Sequence, residues 1–322
     1  MENEINQIKL SIIIPIYNES SLLPAVFERF TALVNQLPDF CGIIQSEIEL
    51  IFVNDGSTDQ SLSQLIAFVN KTEYATCINL ARNFGHQLAI TAGINSATGD
   101  AVVVIDGDLQ DPPELIMELY QKYQEGLDVV YAVRKRRLGE SYFKLITAQL
   151  FYKIIDYFSH TEIIQNAGDF RLMSRRVVDV FNQLPEQHRF IRGMIPWIGF
   201  KQHYILYERD KRYSGKTKFS IRKMIRFSMD GITSFSAVPL KMVGVLGIWV
   251  SVLGLIFMGY VLYEKFVLQS TIQGWTSLVI LIILLGGFQL ICLGVMGEYI
   301  ARIHDQVKNR PLYVIEGQYP KK

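Results

Sequence analysis

Two stretches near the C-terminal end carry no charged residue at all: residues 242–263, 22 in a row, and residues 275–297, 23 in a row. At a rise of about 1.5 Å per residue, either one, as a helix, spans the roughly 30 Å hydrocarbon core of a bilayer. A wholly soluble fold has nowhere to put two such helices. The 264–274 segment between them is long enough only for a turn, and Lys265 is its one cation. Lys241 and a basic stretch precede the first run, while Arg302, Lys308 and Arg310 follow the second. The positive-inside rule then puts both termini and everything before residue 241 in the cytoplasm, which makes this a multi-pass plasma (inner) membrane protein.

The rest of the chain reads as a soluble body. The formal net charge of +1 over 322 residues gives no general attraction for nucleic acid, and none is expected as a partner. Apolar residues make up 49% of the sequence, with the excess concentrated in the last third. Cys41, Cys77 and Cys292 lack metal-ligand spacing and read as reduced thiols, not a disulfide framework. The N-terminal stretch is polar and carries no apolar signal segment.

From about residue 8 to 125 the pattern alternates between strand and helix, which implies right-handed crossovers and a parallel sheet. Strands are expected at 9–15, 48–53, 76–80, 102–105 and 128–133. Helices are expected at 21–36 and 60–71 and after Asn83-Phe84-Gly85, where Ala89, Ala92, Gly93 and Ala97 allow close packing. The organising strand is Val102-Val103-Val104-Ile105, apolar enough to be buried on both faces. It breaks into Asp106-Gly107-Asp108, and Asp111 with Pro112 reads as the start of another helix. Beyond the sheet, 141–159 reads as a helix whose aromatic residues pack. Asn166 to Met173 reads as an irregular loop in which Asp169 fits either a helix cap or a site. The 208–218 segment, with Gly215-Lys216-Thr217-Lys218, suits an anion. Residues 219–240 form an amphipathic pattern suited to a membrane interface.

Ligands of open α/β sheets bind beyond the carboxyl ends of the strands. Tyr17, Asn18 and Glu19 follow the first strand, Asp55 the second, and Asp106 and Asp108 the fourth, so carboxylates converge on one crevice. Hard oxygens at i and i+2 in a tight turn suit a divalent cation that keeps positions open for phosphates. There is no Gly-rich dinucleotide fingerprint and no Walker A loop, which disfavours a dehydrogenase or a P-loop NTPase. Arg134, directly after the fifth strand, is placed to reach a phosphate, whereas Arg136 and Arg137 read as solvated.

The segments Ile14-Pro15-Ile16-Tyr17-Asn18-Glu19, Val53-Asn54-Asp55-Gly56-Ser57, Asn83-Phe84-Gly85, Asp106-Gly107-Asp108-Leu109-Gln110-Asp111-Pro112-Pro113 and Gly168-Asp169-Phe170-Arg171 resemble family 2 glycosyltransferases of the GT-A fold. More closely, the chain is similar to the polyprenyl-phosphate glycosyltransferases, which include bactoprenol glucosyltransferases and dolichol-phosphate mannose synthase. The resemblance implies an α/β, Rossmann-like, mostly parallel sheet domain (1–215), interfacial amphipathic helices (216–240), a two-span hairpin (241–298) and a cytoplasmic tail (299–322). It implies that Pro15, Tyr17, Glu19, Asp55 and Asp106 bind the nucleotide. Asp106, Asp108 and Gln110 would hold Mg2+ or Mn2+, with Asp108 counted among the catalytic groups. Asp169 would be catalytic beside the anomeric carbon, and Arg134, Arg212 and Lys218 would bind the lipid phosphate.

The implied reaction is inverting transfer of one sugar from a nucleotide sugar, UDP-glucose or UDP-N-acetylglucosamine first among them, to undecaprenyl phosphate, for cell-envelope glycan modification. A phosphate monoester is largely ionised at neutral pH, its second pKa being about 6, so a general base matters less than for a hydroxyl acceptor. Membrane lipids are the expected surroundings, and self-association would bury apolar surface. A processive polysaccharide synthase is the alternative, but Gln187-His188-Arg189-Phe190 does not match the Gln-x-x-Arg-Trp motif of those enzymes, and two spans cannot enclose a channel. A non-catalytic nucleotide-sugar-binding scaffold is the other.

Overall fold

The computed structural model describes residues 7–135, 167–208, 238–267 and 274–320. The expected helix at 141–159, Arg136, Arg137, Arg212, Lys218 and nearly all of the amphipathic segment lie outside the described residues. The chain divides into two compact units, Met1–Phe227 with Pro311–Lys322, and Ser228–Arg310.

The first unit is a three-layer α/β body. Its strands are β1 (Leu10–Ile16), β2 (Ile48–Asn54), β3 (Ala75–Leu80), β4 (Ala101–Val104), β5 (Val129–Arg134), β6 (Ala167–Ser174), β7 (Gln202–Tyr207) and β8 (Ile315–Tyr319). They form one eight-stranded sheet in the order β7-β5-β6-β4-β1-β2-β3-β8. The β1–β2, β1–β4, β2–β3 and β5–β7 pairs are parallel. The β3–β8, β4–β6 and β5–β6 pairs are antiparallel.

Helices α1 (Leu23–Cys41), α2 (Ser61–Val69) and α4 (Leu115–Gln124) cover one face, and α3 (His86–Ser96), α5 (Arg175–Gln183) and α6 (Ile191–Ile198) lie on the other side. Strand alternation supplies both cores. Leu10, Ile12, Ile14 and Ile16 of β1 join the α1 side, while Ile13 meets α3. A Cβ added at Gly93 would lie 2.3 Å from Ile13 Cγ2, so the small residues of α3 do permit close packing.

Two local expectations change. Residues 167–174 are a strand and not a loop. Their alternation sends Phe170 and Leu172 into the α1-side core and Asp169 and Arg171 to the opposite face, where opposite charges are buried together. The sequence pattern conceals this strand because two ionised residues interrupt its apolar run. Asp111 does not cap a helix: α4 begins at Leu115 after a turn in which Pro112 O and Pro113 O accept from Leu115 N and Ile116 N. Asp111 is instead buried, held by a tyrosine and an arginine described below.

The antiparallel course of β6 matters for function. Arg171 faces Val104 of β4 in register, and Val133 of β5 faces Ala167. The beginning of β6 therefore lies at the same sheet edge as the carboxyl ends of β1, β2, β4, β5 and β7. At the far side, the expected 299–322 tail is the last turns of a helix followed by β8, which closes the sheet edge against β3.

The second unit contains α7 (Val238–Phe266) and α8 (Trp275–Lys308), 29 and 34 residues long. Their segments Leu240–Tyr260 and Leu284–Lys308 are long and apolar enough to cross a membrane, and none of either is buried. Ile248, Trp249 and Leu284 are each more than 60% exposed. Helix continues past Gly297 into a charged end, where Arg302 pairs with Glu298 one turn earlier.

Candidate active site

Strand β4 ends at Val104, and the N–H of the next residue, Ile105, still donates to Ile13 O. The chain then turns sharply. A Cβ at Gly107 would come within 2.5 Å of Ile16 Cδ1, so a larger residue between the two carboxylates would require the Ile16 side chain to move. Leu109 adopts φ 55°, a left-handed conformation costly for a branched side chain and retained where surroundings over-determine it. Asp108 Oδ1 accepts from Gln110 N at 3.0 Å, which fixes the turn, and Gln110 is buried beside it.

Asp106 faces a cluster drawn from three other segments. His86, the first residue of α3, places Nε2 3.3 Å from Asp106 Oδ1 and 3.1 Å from Asp169 Oδ2. Arg192 of α6 grips Asp169 with both arms, Nε to Oδ1 at 2.9 Å and Nη2 to Oδ2 at 2.8 Å. Behind Asp169, the buried Arg171 donates to the carbonyls of Gly168 and Asp169 and brings Nη2 to 3.6 Å from Asp169 Oδ1.

Electrostatics follow from this packing. Burial raises the Asp106 carboxyl to about 6; His86 pulls it down, while Asp169, Asp111 and Asp108 add repulsion. Burial by itself would lower His86, but its hydrogen bond to Asp169 and the charges of Asp106 and Asp169 prevail and raise the imidazole to about 9. Burial opposes ionisation of Asp169 too, yet Arg192 and His86 hold that carboxyl well below the usual carboxylate range.

A second group lies at the same edge. The Asp111 carboxylate accepts from Tyr207 Oη and from Arg134 Nη2, and Arg134 Nε donates to Tyr207 Oη at 3.1 Å. Arg134 thus ends β5 already tied to two partners, with 30% of its side chain exposed.

The loops after β1, β2 and β3 are fastened to one another. Asp55 is buried and accepts from Phe84 N at 2.7 Å and Gly85 N at 3.0 Å. Burial pushes its carboxyl up while those two N–H groups oppose. Gly56 sits at φ +61°, and a Cβ there would come within 2.3 Å of the Arg82 backbone, so the loops after β2 and β3 touch. Asn18, also left-handed, accepts from Thr58 N and donates its own N–H to Ser57 Oγ. Glu19 N donates to Ser61 Oγ, which leaves Tyr17 exposed at the rim, and Pro15 lies within β1 beside Val53.

Asp106 and Asp169 are brought together in the structure, with Asp108, Gln110 and Arg134 at the same edge and Tyr17, Glu19 and Asp55 on the loops after β1 and β2. His86, Arg192, Arg171, Asp111 and Tyr207 complete the site and were not singled out as site residues by sequence. His86 had a signal, since it directly follows Asn83-Phe84-Gly85 at a strand's carboxyl end. Arg192 had none, because only the fold carries α6 to β6.

A divalent cation suits the donor set. The buried Asp106 Oδ1 accepts no hydrogen bond, and its carboxyl is crowded by three others. Among the described residues, His86, Asp106 and Asp169 also offer ligand atoms within 4.8 Å of one another. Asp169 is the poorest of these, because Arg192 occupies both of its oxygens. Asp106 with Asp108 is the hard-oxygen pair that fits Mg2+ or Mn2+.

The family model for glycosyl transferase family 2 matches residues 11–181, which include the cluster at β4. YkcC, a glycosyltransferase of Bacillus subtilis, is 46% identical over 312 residues, covering 97% of this chain and 94% of its own. The bactoprenol glucosyl transferase of Shigella phage SfII is 38% identical over 308 residues, covering 96% and 97%. Among solved structures, a glucosyl-3-phosphoglycerate synthase from Mycobacterium tuberculosis is similar with a TM-score of 0.45 and 19% identity, over 70% of this chain and 78% of that one. By the family match and by identity along nearly its whole length, this chain belongs to glycosyl transferase family 2.

Proposed function

We propose that this protein transfers a single sugar, with inversion, from a nucleotide sugar to the phosphate of a polyprenyl phosphate at the cytoplasmic face of the plasma membrane. UDP-glucose and UDP-N-acetylglucosamine are the leading donors. The observation that carries the reading is the Asp106 carboxylate: half-buried just past β4, its Oδ1 accepting no hydrogen bond and lying 3.3 Å from His86 Nε2, and its carboxyl raised to about 6, in a chain that also carries two exposed apolar helices. Relatives at 37–38% identity named bactoprenol glucosyl transferases support a lipid-carrier acceptor.

In this reading Pro15, Tyr17, Glu19 and Asp55 surround the nucleoside. Asp106 and Asp108, with Gln110, would hold Mg2+ or Mn2+, which when bound offsets charge developing on the departing diphosphate. Arg134, Arg212 and Lys218 meet the lipid phosphate.

The test is product formation by membranes containing the protein, given undecaprenyl phosphate, Mg2+ or Mn2+, and a panel of radiolabelled nucleotide sugars. A metal-dependent, acid-labile monoglycosylated lipid from one donor is the expected result, with at least a hundredfold loss in Asp108→Ala. Polymer in place of lipid-linked monosaccharide would establish a processive synthase. Nucleotide binding without turnover would establish a scaffold.

A further inference from the structure

Exposure sorts the charged cluster at β6 in an unexpected way. Asp169 keeps 2% of its side-chain surface and Arg171 1%, whereas Arg192 keeps 35% and His86 46%. The carboxylate expected beside the reacting atoms is the buried member, and the residues presented to the crevice are its donors.

Its oxygens are also occupied. Oδ1 takes Arg192 Nε, Oδ2 takes Arg192 Nη2 and His86 Nε2, and Arg171 stands behind. A carboxylate gripped by an arginine fork gains geometric definition and loses basicity. The crevice otherwise gathers the carboxylates Asp106, Asp108 and Asp111, a field that repels phosphate. Arg192 is the permanent cation that α6 contributes there.

We propose that Arg192 binds a phosphate group in the crevice and that Asp169 is the buried positioning residue that aims it. This deepens the phosphate-acceptor reading and rests on it. The phosphate is either the acceptor's or the donor's diphosphate, and one guanidinium chemistry recognises both. No proton needs to reach Asp169. An ionised acceptor oxygen forms the bond to the anomeric carbon as that carbon's bond to the diphosphate oxygen breaks, and the electron pair departs with the nucleoside diphosphate.

The experiment compares full-length wild type, Arg192→Lys, Arg192→Ala, Asp169→Asn and the Arg192→Ala/Asp169→Asn double variant. It measures UDP binding with Mn2+ and transfer rates against undecaprenyl phosphate concentration. Arg192→Ala should weaken one phosphate ligand at least tenfold, read as Kd for UDP if the donor is held or KM for undecaprenyl phosphate if the acceptor is. Arg192→Lys should keep part of that affinity, and millimolar guanidinium should partly restore Arg192→Ala. Asp169→Asn should show the same affinity defect, unrelieved at alkaline pH, and the double variant should be no worse than Arg192→Ala alone.

The inference is overturned if Arg192→Ala leaves both affinities within twofold, if Asp169→Asn recovers at high pH, or if the two losses multiply. If Asp169→Asn does not fold, as judged by its melting temperature, the Arg192→Lys comparison and the guanidinium rescue decide. If wild type transfers no sugar, the phosphate-acceptor reading fails by itself, and UDP binding by wild type against Arg192→Ala still decides whether Arg192 holds phosphate.

Discussion

Asp128 takes no part in the proposed chemistry, yet it joins three segments. Its backbone N–H donates to Lys201 O before β7, and its carbonyl accepts from Ser174 N at the end of β6. Its carboxylate accepts from Ser174 Oγ, Lys201 N and both arms of Arg176. The Arg176 guanidinium also lies 4.5 Å from the centre of the Phe200 ring. The Arg176 hydrogen bonds, aided by Lys201 N and Ser174, hold this carboxyl below its ordinary value against burial. A depressed folded-state pKa gives stability that is complete above the unfolded value of about 3.9 and is lost as pH falls through the folded one. Melting of the detergent-solubilised protein should show this. Asp128→Asn should melt well below wild type at pH 7, and the gap should narrow steadily from about pH 5 downward. A gap unchanged at pH 3 would mean that the carboxylate's charge contributes nothing.

Single elements decide how the site is assembled, and they differ in how far the sequence discloses them. The strands β1, β2 and β4 are legible because apolar runs rich in β-branched residues end in turn residues. Strand β6 is not, since Asp169 and Arg171 look polar until the fold neutralises them together. Strand β8 is equally hidden: Ile315-Glu316-Gly317-Gln318-Tyr319 has no apolar run, and its strand character comes from β3, to which it adds. That addition reaches the loops after β2 and β3. Ala81 N donates to Val314 O, and Glu316 accepts from Asn79 Nδ2, whose own Oδ1 accepts from Asn54. Asn54 directly precedes Asp55. Glu316→Ala leaves a nearly buried amide donor without that acceptor, at a cost of about 1–3 kcal/mol. The expected outcome is a lower melting temperature, accompanied by weaker UDP binding as the Asp55 loop loosens. Unchanged stability would show that water or another group replaces the glutamate.

At the scale of the whole molecule, the decisive quantities are hydropathy and the placement of cations, both readable from sequence without any contact. In the expected topology both α7 and α8 cross the bilayer, so the chain before α7 and the chain after α8 share one compartment. Lysine and arginine choose which: Lys241, Arg302, Lys308 and Arg310 flank the pair, against Lys265 between them. The expected topology has the sheet domain inside, where a nucleotide sugar made in the cytoplasm meets Asp106 without crossing the bilayer. An impermeant thiol reagent tests this, because Cys41 and Cys77 are buried in the sheet domain. In a Cys292→Ser background, a cysteine at position 265 should be modified in intact cells. One at position 308 should be modified only after the membrane is opened. The reverse pattern would put the crevice outside, cut off from cytoplasmic donors, and the proposed transfer could not run in the cell even if the purified protein catalysed it.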